Sequence, residues 1–205
     1  MLLRRSFLIG ATALLLAAAP AAVFAQAFDL SPNPPSRLHA EKVDAIAALL
    51  PADFDYAKDG VLSIAIAAGA PPISTDATDG ATVVGFDPDL GRLVGEVLGL
   101  EVEIVPIAWI DWPLGLSSSK YDAVISNVGV TEERKEKFDF STYRKGVHGF
   151  YVKADSPITS IKEPKDIAGL RIITASGTNQ ERITLEWDRI NQEAGLAPVE
   201  IQYYD

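Results

Sequence analysis

Residues 85–126 read "GFDPDLGRLVGEVLGLEVEIVPIAWIDWPLGLSSSKYDAVIS", and the hydrophobic period changes repeatedly along them. In "GFDPDLGRLVGEVLGL" the apolar residues Leu90, Leu93, Val94, Val97 and Leu98 recur at helical spacing, with Asp87 expected as N-cap and Pro88 as the first helical residue. "VEIVPIA" then reads as a strand, "DWPLGLSSSK" as a short helix and turn, and "YDAVIS" as another strand. Upstream, "VLSIAIAA" from Val61 gives one more strand, closed by the breaker "GAPP". Strand, helix, strand, helix, strand predicts a parallel α/β winding.

The alternation resumes with "LRIITAS", a helix over 179–193 and "PVEIQYY", a second and shorter α/β unit. There is no internal repeat and no Gly/Ser tether, so two lobes joined through "HGFYVKADS" are expected. Before the first strand, a Pro-rich lead is followed by "RLHAEKVDAIAALLP", whose apolar Val43, Ile46, Ala47, Leu49 and Leu50 predict an amphipathic helix in an arm on the domain edge. The expected organisation is therefore 1–25 a signal peptide, 26–58 the arm, 59–152 the first lobe and 153–205 the second.

The signal-peptide reading comes from two arginines, an apolar run from Phe7 to Ala19 and small residues around Ala25. That run is shorter than the roughly 20 residues a membrane-spanning helix needs. "RRSFL" also resembles a twin-arginine export signal, so a periplasmic protein is expected, by that route or the general one. The chain has no cysteine, which removes disulfides, thiol nucleophiles and thiolate metal sites. Without Arg4 and Arg5 it carries 28 acidic and 16 basic side chains. Such a surface repels nucleic acid and anionic membrane.

A dense charge cluster lies just past the last strand of the first unit, in "SNVGVTEERKEKFDFS", residues 126–141. Taken with "GFDPDL", "KYDAVIS" and "GLRIITASGT", in this order and spacing, the chain from about Val61 onward resembles family 3 of the bacterial extracellular solute-binding proteins, the amino-acid receptors of ABC importers. The resemblance implies a two-lobed periplasmic-binding-protein-like (type II) α/β fold that closes on a ligand in the inter-lobe cleft. Relative to that family the second lobe is expected to be incomplete, the chain ending before a further strand and the return crossing. Ligands of open α/β sheets lie outside the carboxyl ends of strands, where 68–74, 126–134 and 176–179 fall.

By the same resemblance Arg134 of "TEER" grips the ligand α-carboxylate through a planar, bidentate contact. Read alone, it is an arginine paired with Glu132 or Glu136 on a solvated turn. Gly177 and Thr178 form the family's second carboxylate corner, where a helix begins and free N–H groups favour an anion. Trp109 and Ile73 are expected in the side-chain pocket, Ile73 standing where an aromatic often does. Gly129 replaces the usual Thr or Ser, keeping the backbone N–H and losing the hydroxyl, and Asn127 or Ser126 could substitute. Asp87 and Asp89 are read as helix-capping residues, and neither metal nor cofactor is expected.

The leading expectation is a monomeric, non-enzymatic receptor that passes a small carboxylate-bearing solute, an amino acid above all, to an ABC permease. An enzyme like the dehydratases of this fold would need a general acid or base from His39, His148, Asp111 or Glu181. A sensor ectodomain would need a membrane-spanning segment beyond Asp205.

Overall fold

The structure is a computed structural model that describes residues 28–69 and 71–204. The expected signal peptide lies outside the described residues.

The arm, from Phe28, is irregular with a turn closed by the Arg37 N–H on the Pro34 carbonyl, and contains α1 (Asp44–Ala47), a single helical turn. The longer amphipathic helix expected over 37–51 does not form, for a local reason. The Ala40 N–H donates to Glu96 Oε2 and the Val43 N–H donates to the Val97 carbonyl, so 40–43 are spent on a neighbouring helix. Leu49 is consequently exposed.

The central strand is β1 (Val61–Ala67), a continuous apolar run whose Ile64, Ala65 and Ile66 are almost fully buried. A small antiparallel hairpin follows, β2 (Thr75–Asp76) with β3 (Val83–Val84). After α2 (Phe86–Leu98) comes β4 (Glu101–Ile107), which pairs parallel with β1 from Val61↔Glu101 to Ala67↔Ile107. A 3-10 turn at Trp109–Asp111 leads into α3 (Trp112–Ser117), and β5 (Ala123–Val124) pairs parallel with the other edge of β1. The order β4-β1-β5, with helical crossovers, is the parallel winding the periodicity predicts.

The face that α2 lays on the sheet is not its leucine stripe. Its buried positions are Asp87, Pro88, Gly91 and Gly95, while Val94 is exposed. A Cβ on Gly95 would lie 1.9 Å from Val102 Cγ2, and one on Gly91 would lie 3.0 Å from Ile64 Cδ1. The helix therefore seats its backbone on β1 and β4 where no side chain intervenes. Asp87 is not the N-cap either. Gly85 holds that position, and Asp87 lies inside the first turn with its side chain fully buried.

The second unit comprises β6 (Arg171–Thr174), α5 (Asn179–Glu193) and β7 (Glu200–Tyr203), a parallel β-α-β unit. Its packing is largely polar: Asp188 accepts from the Val199 N–H and Asn191 donates to the Pro164 carbonyl, next to buried Ile167. Between the units lies α4 (Glu132–Lys135), and 136–163 contain no helix or strand. The joining segment "HGFYVKADS" thus has no regular structure, and Val147 just before it and Tyr151 within it are almost fully exposed.

Candidate functional site

Ser126 ends β5 by bonding the end of β1. Its Oγ accepts from the Ala67 N–H and donates to the Ala67 carbonyl. This pins the two carboxyl ends together and sends 127–130 across the edge of the sheet. Asn127 takes a left-handed φ of 53°, a conformation Asn tolerates better than most residues. Thr131 then caps α4, its Oγ1 accepting from the Arg134 N–H.

That cap aims Arg134 back across the site. Its Nη1 donates to the Gly129 carbonyl at 2.8 Å and its Nη2 to the Gly177 carbonyl at 3.2 Å, so one guanidinium links both units. The same group lies over Trp112 and Trp109, 5.3 and 5.9 Å from the ring centroids. Burial pushes the Arg134 pKa down, opposed by the charge of Glu133. Glu132 pairs with Lys135 instead, and among the described residues Arg134 has no carboxylate within salt-bridge distance. The solvated-turn arrangement is therefore not the one adopted. Guanidinium donors remain without protein partners among the described residues.

Two hollows meet at this side chain, one of about 610 Å³ and one of about 310 Å³, and both are lined by Trp109, Arg134 and Asn179. The larger continues along Trp112 and Leu114 to Gly177 and Thr178. The smaller opens onto Asn127, Gly129, Tyr143 and His148.

Of the residues the sequence singled out, the structure brings Trp109, Asn127, Gly129, Arg134, Gly177 and Thr178 to one place. Thr178 caps α5 by accepting from the Glu181 N–H, and Glu181 reciprocates through Gly177 N–H at 2.7 Å. The Gly177 amide is therefore already engaged. Trp112, rather than Trp109, is the buried aromatic, at 3% exposure. Ile73 stands apart from both hollows, its carbonyl accepting from the Asp87 N–H at the start of α2.

Of the acid–base candidates, His39 in the arm bonds Glu96 of α2 and Asp111 lines neither hollow, whereas Glu181 lines the larger hollow while engaged in the α5 cap and His148 lines the smaller, meeting Asn179 at 3.0 Å. Sequence reasoning missed Tyr143, Arg144 and the pairing role of Asp87. Asp87 Oδ1 accepts from Arg144 Nη1 at 3.1 Å and from Tyr143 OH at 3.2 Å. Burial raises the Asp87 pKa against the opposing pull of Arg144. No local signal marks this cluster, because its members lie 56 and 57 positions apart.

The sequence and the fold have counterparts. Residues 62–196 match the model of "Bacterial extracellular solute-binding proteins, family 3". The L-cystine-binding protein TcyJ of Escherichia coli (strain K12) is 31% identical over 148 residues, which cover 71% of this chain and 52% of that protein. The arginine-binding extracellular protein ArtP of Bacillus subtilis (strain 168) is 33% identical over 104 residues, covering 50% of this chain and 40% of ArtP. Among solved structures, the ancestral amino acid-binding protein AncCDT-1, a precursor of cyclohexadienyl dehydratase, superposes with a TM-score of 0.57 at 27% identity, over 71% of this chain and 61% of that one. The chain thus spans about half the length of the relatives it matches. The two-lobed α/β arrangement and a family-model match over most of the chain agree, and the protein belongs to family 3 of the bacterial extracellular solute-binding proteins.

Proposed function

We propose that this protein is an extracytoplasmic receptor for a small carboxylate-bearing solute, an amino acid above all, which it delivers to an ABC permease. One observation carries the reading. Arg134 spans the two units through Gly129 and Gly177, is shielded by two indoles, and has no acidic partner among the described residues. A half-buried guanidinium without a counter-charge favours an anion that arrives with the ligand. Trp109, Asn127, Gly129, Gly177 and Thr178 complete the proposed contact set, with Ile73 kept as a peripheral member. The reading takes 26–58 as arm, 59–152 as first lobe and 153–205 as second, acts as a monomer, and assigns no catalytic group. It places the protein in the periplasm after signal-peptide cleavage, through the twin-arginine or the general route.

The test is thermal unfolding of the chain from Gln26 onward against cystine, arginine, glutamine, glutamate and simple organic acids. A ligand at 100 times its Kd stabilises the folded state by about 2.7 kcal/mol. A rise in Tm for α-amino acids supports the proposal. A cooperative transition that no carboxylate moves refutes it.

A further inference from the structure

Beneath the smaller hollow, Asp87, Tyr143 and Arg144 form a cluster that no feature of the carboxylate grip explains. Asp87 is fully buried, and Arg144 is 21% exposed. The guanidinium of Arg144 lies 5.3 Å from the Tyr143 ring centroid and 5.6 Å from that of Phe86, and the two rings stack at 6.1 Å. Tyr143 OH, which donates to Asp87, also accepts the Asn127 N–H at 3.4 Å. The first turn of α2, the irregular segment after α4 and the crossing at 127–130 are thus joined at one carboxylate.

Packing alone would not select this chemistry. Oδ2 of Asp87 and Nη2 of Arg144 are buried without hydrogen-bond partners. Apolar side chains of similar volume would remove that penalty, so a paired charge retained here has another use. Asn127 supplies one, since holding its backbone at a left-handed φ of 53° costs some free energy even for a residue that tolerates it, and fixed surroundings offset that cost.

We propose that Asp87, Tyr143 and Arg144 are positioning residues that hold the 127–130 backbone in its site geometry. Their consequence for affinity rests on the carboxylate reading above, whereas their effect on the backbone does not. Asp87→Asn is the obvious variant, but it removes the charge opposite buried Arg144 and can unfold the lobe. Tyr143→Phe is decisive, because it deletes the shared hydroxyl and keeps the ring stack. The control is Asp89→Asn, an α2 carboxylate that pairs with Arg37 and Arg92 on the arm side.

Hydrogen–deuterium exchange is followed at 126–130 of the whole chain. Tyr143→Phe is expected to speed exchange at Asn127 about tenfold, with no such change in Asp89→Asn. Where the wild type binds an amino acid, its affinity should fall by a similar factor in Tyr143→Phe alone. Unchanged exchange at 126–130, or an equal rise in the control, overturns the proposal. A wild type that binds no carboxylate but shows the selective exchange pattern refutes the receptor reading and leaves the positioning role standing.

Discussion

Replacing Arg134 with alanine removes two distinct things, and their sizes can be separated. Toward a carboxylate ligand, on the function proposed above, it removes a charge-assisted contact worth about 1.5–3 kcal/mol, which at 1.4 kcal/mol per tenfold is a loss of about 10- to 150-fold in affinity. Toward the protein it removes the hydrogen bonds to the Gly129 and Gly177 carbonyls and the contacts over Trp109 and Trp112. Each hydrogen bond contributes about 0.5–1.5 kcal/mol and an exposed cation–π contact about 0.5–1 kcal/mol, so the ligand-free protein also loses stability. Titration calorimetry gives the first quantity and urea unfolding without ligand the second. Arg134→Lys should fall between, because a point charge cannot span both carbonyls and also present a fork to a carboxylate. A folded Arg134→Ala protein that binds its amino acid within about twofold of wild type would refute the assignment, since no bidentate contact is worth so little.

Two further outcomes follow from the packing and the arm. Gly95→Ala puts a methyl 1.9 Å from Val102 Cγ2 and should lower stability by about 1–3 kcal/mol, outweighing the roughly 1 kcal/mol by which alanine favours a helix. A urea midpoint at or above wild type would show that α2 does not seat on β4 through this glycine. Glu96 has its pKa lowered from 4.5 by the Ala40 N–H first and by His39 second, so its bond to the arm contributes fully above pH 4.5. That contribution is lost as pH falls through the depressed value. Limited proteolysis of the arm should therefore accelerate on acidification in the wild type, and Glu96→Gln should flatten that dependence. An identical pH profile in both proteins would remove Glu96 as the clasp.

How much of this was legible in the sequence depended on how local the deciding contact is. β1 and α5 follow from apolar runs and from Thr178 with Glu181, all within a few residues, and they form where the patterns put them. The α2 face was misread because hydrophobic periodicity weights side chains, whereas the contact with β1 and β4 requires that Gly91 and Gly95 have none. The arm helix was overestimated because the groups that keep 40–43 extended belong to α2. Asp87 is followed by proline at the start of a helix and looks like a cap in any short window. What fixes its role is Arg144, 57 positions away.

The same distinction applies to the site. "TEER" points to Arg134 only through the family resemblance, since read alone it is a solvated turn; what is local is the Thr131 cap three residues before the arginine. The carbonyl of Gly177, 43 positions on, is invisible from there, yet it determines what the guanidinium can do. While Nη2 holds that carbonyl, the donors left for a ligand are those facing the hollows. A carboxylate that takes Nη2 must displace Gly177, and one that leaves it alone binds with the units at their present separation. A ligand can shift the spacing between the units only through such a difference in contact. On the proposed receptor reading, binding and a change in lobe spacing are therefore tied at Arg134, and a variant that weakens only the Gly177 contact should change the spacing, followed by small-angle scattering with and without ligand, more than the affinity.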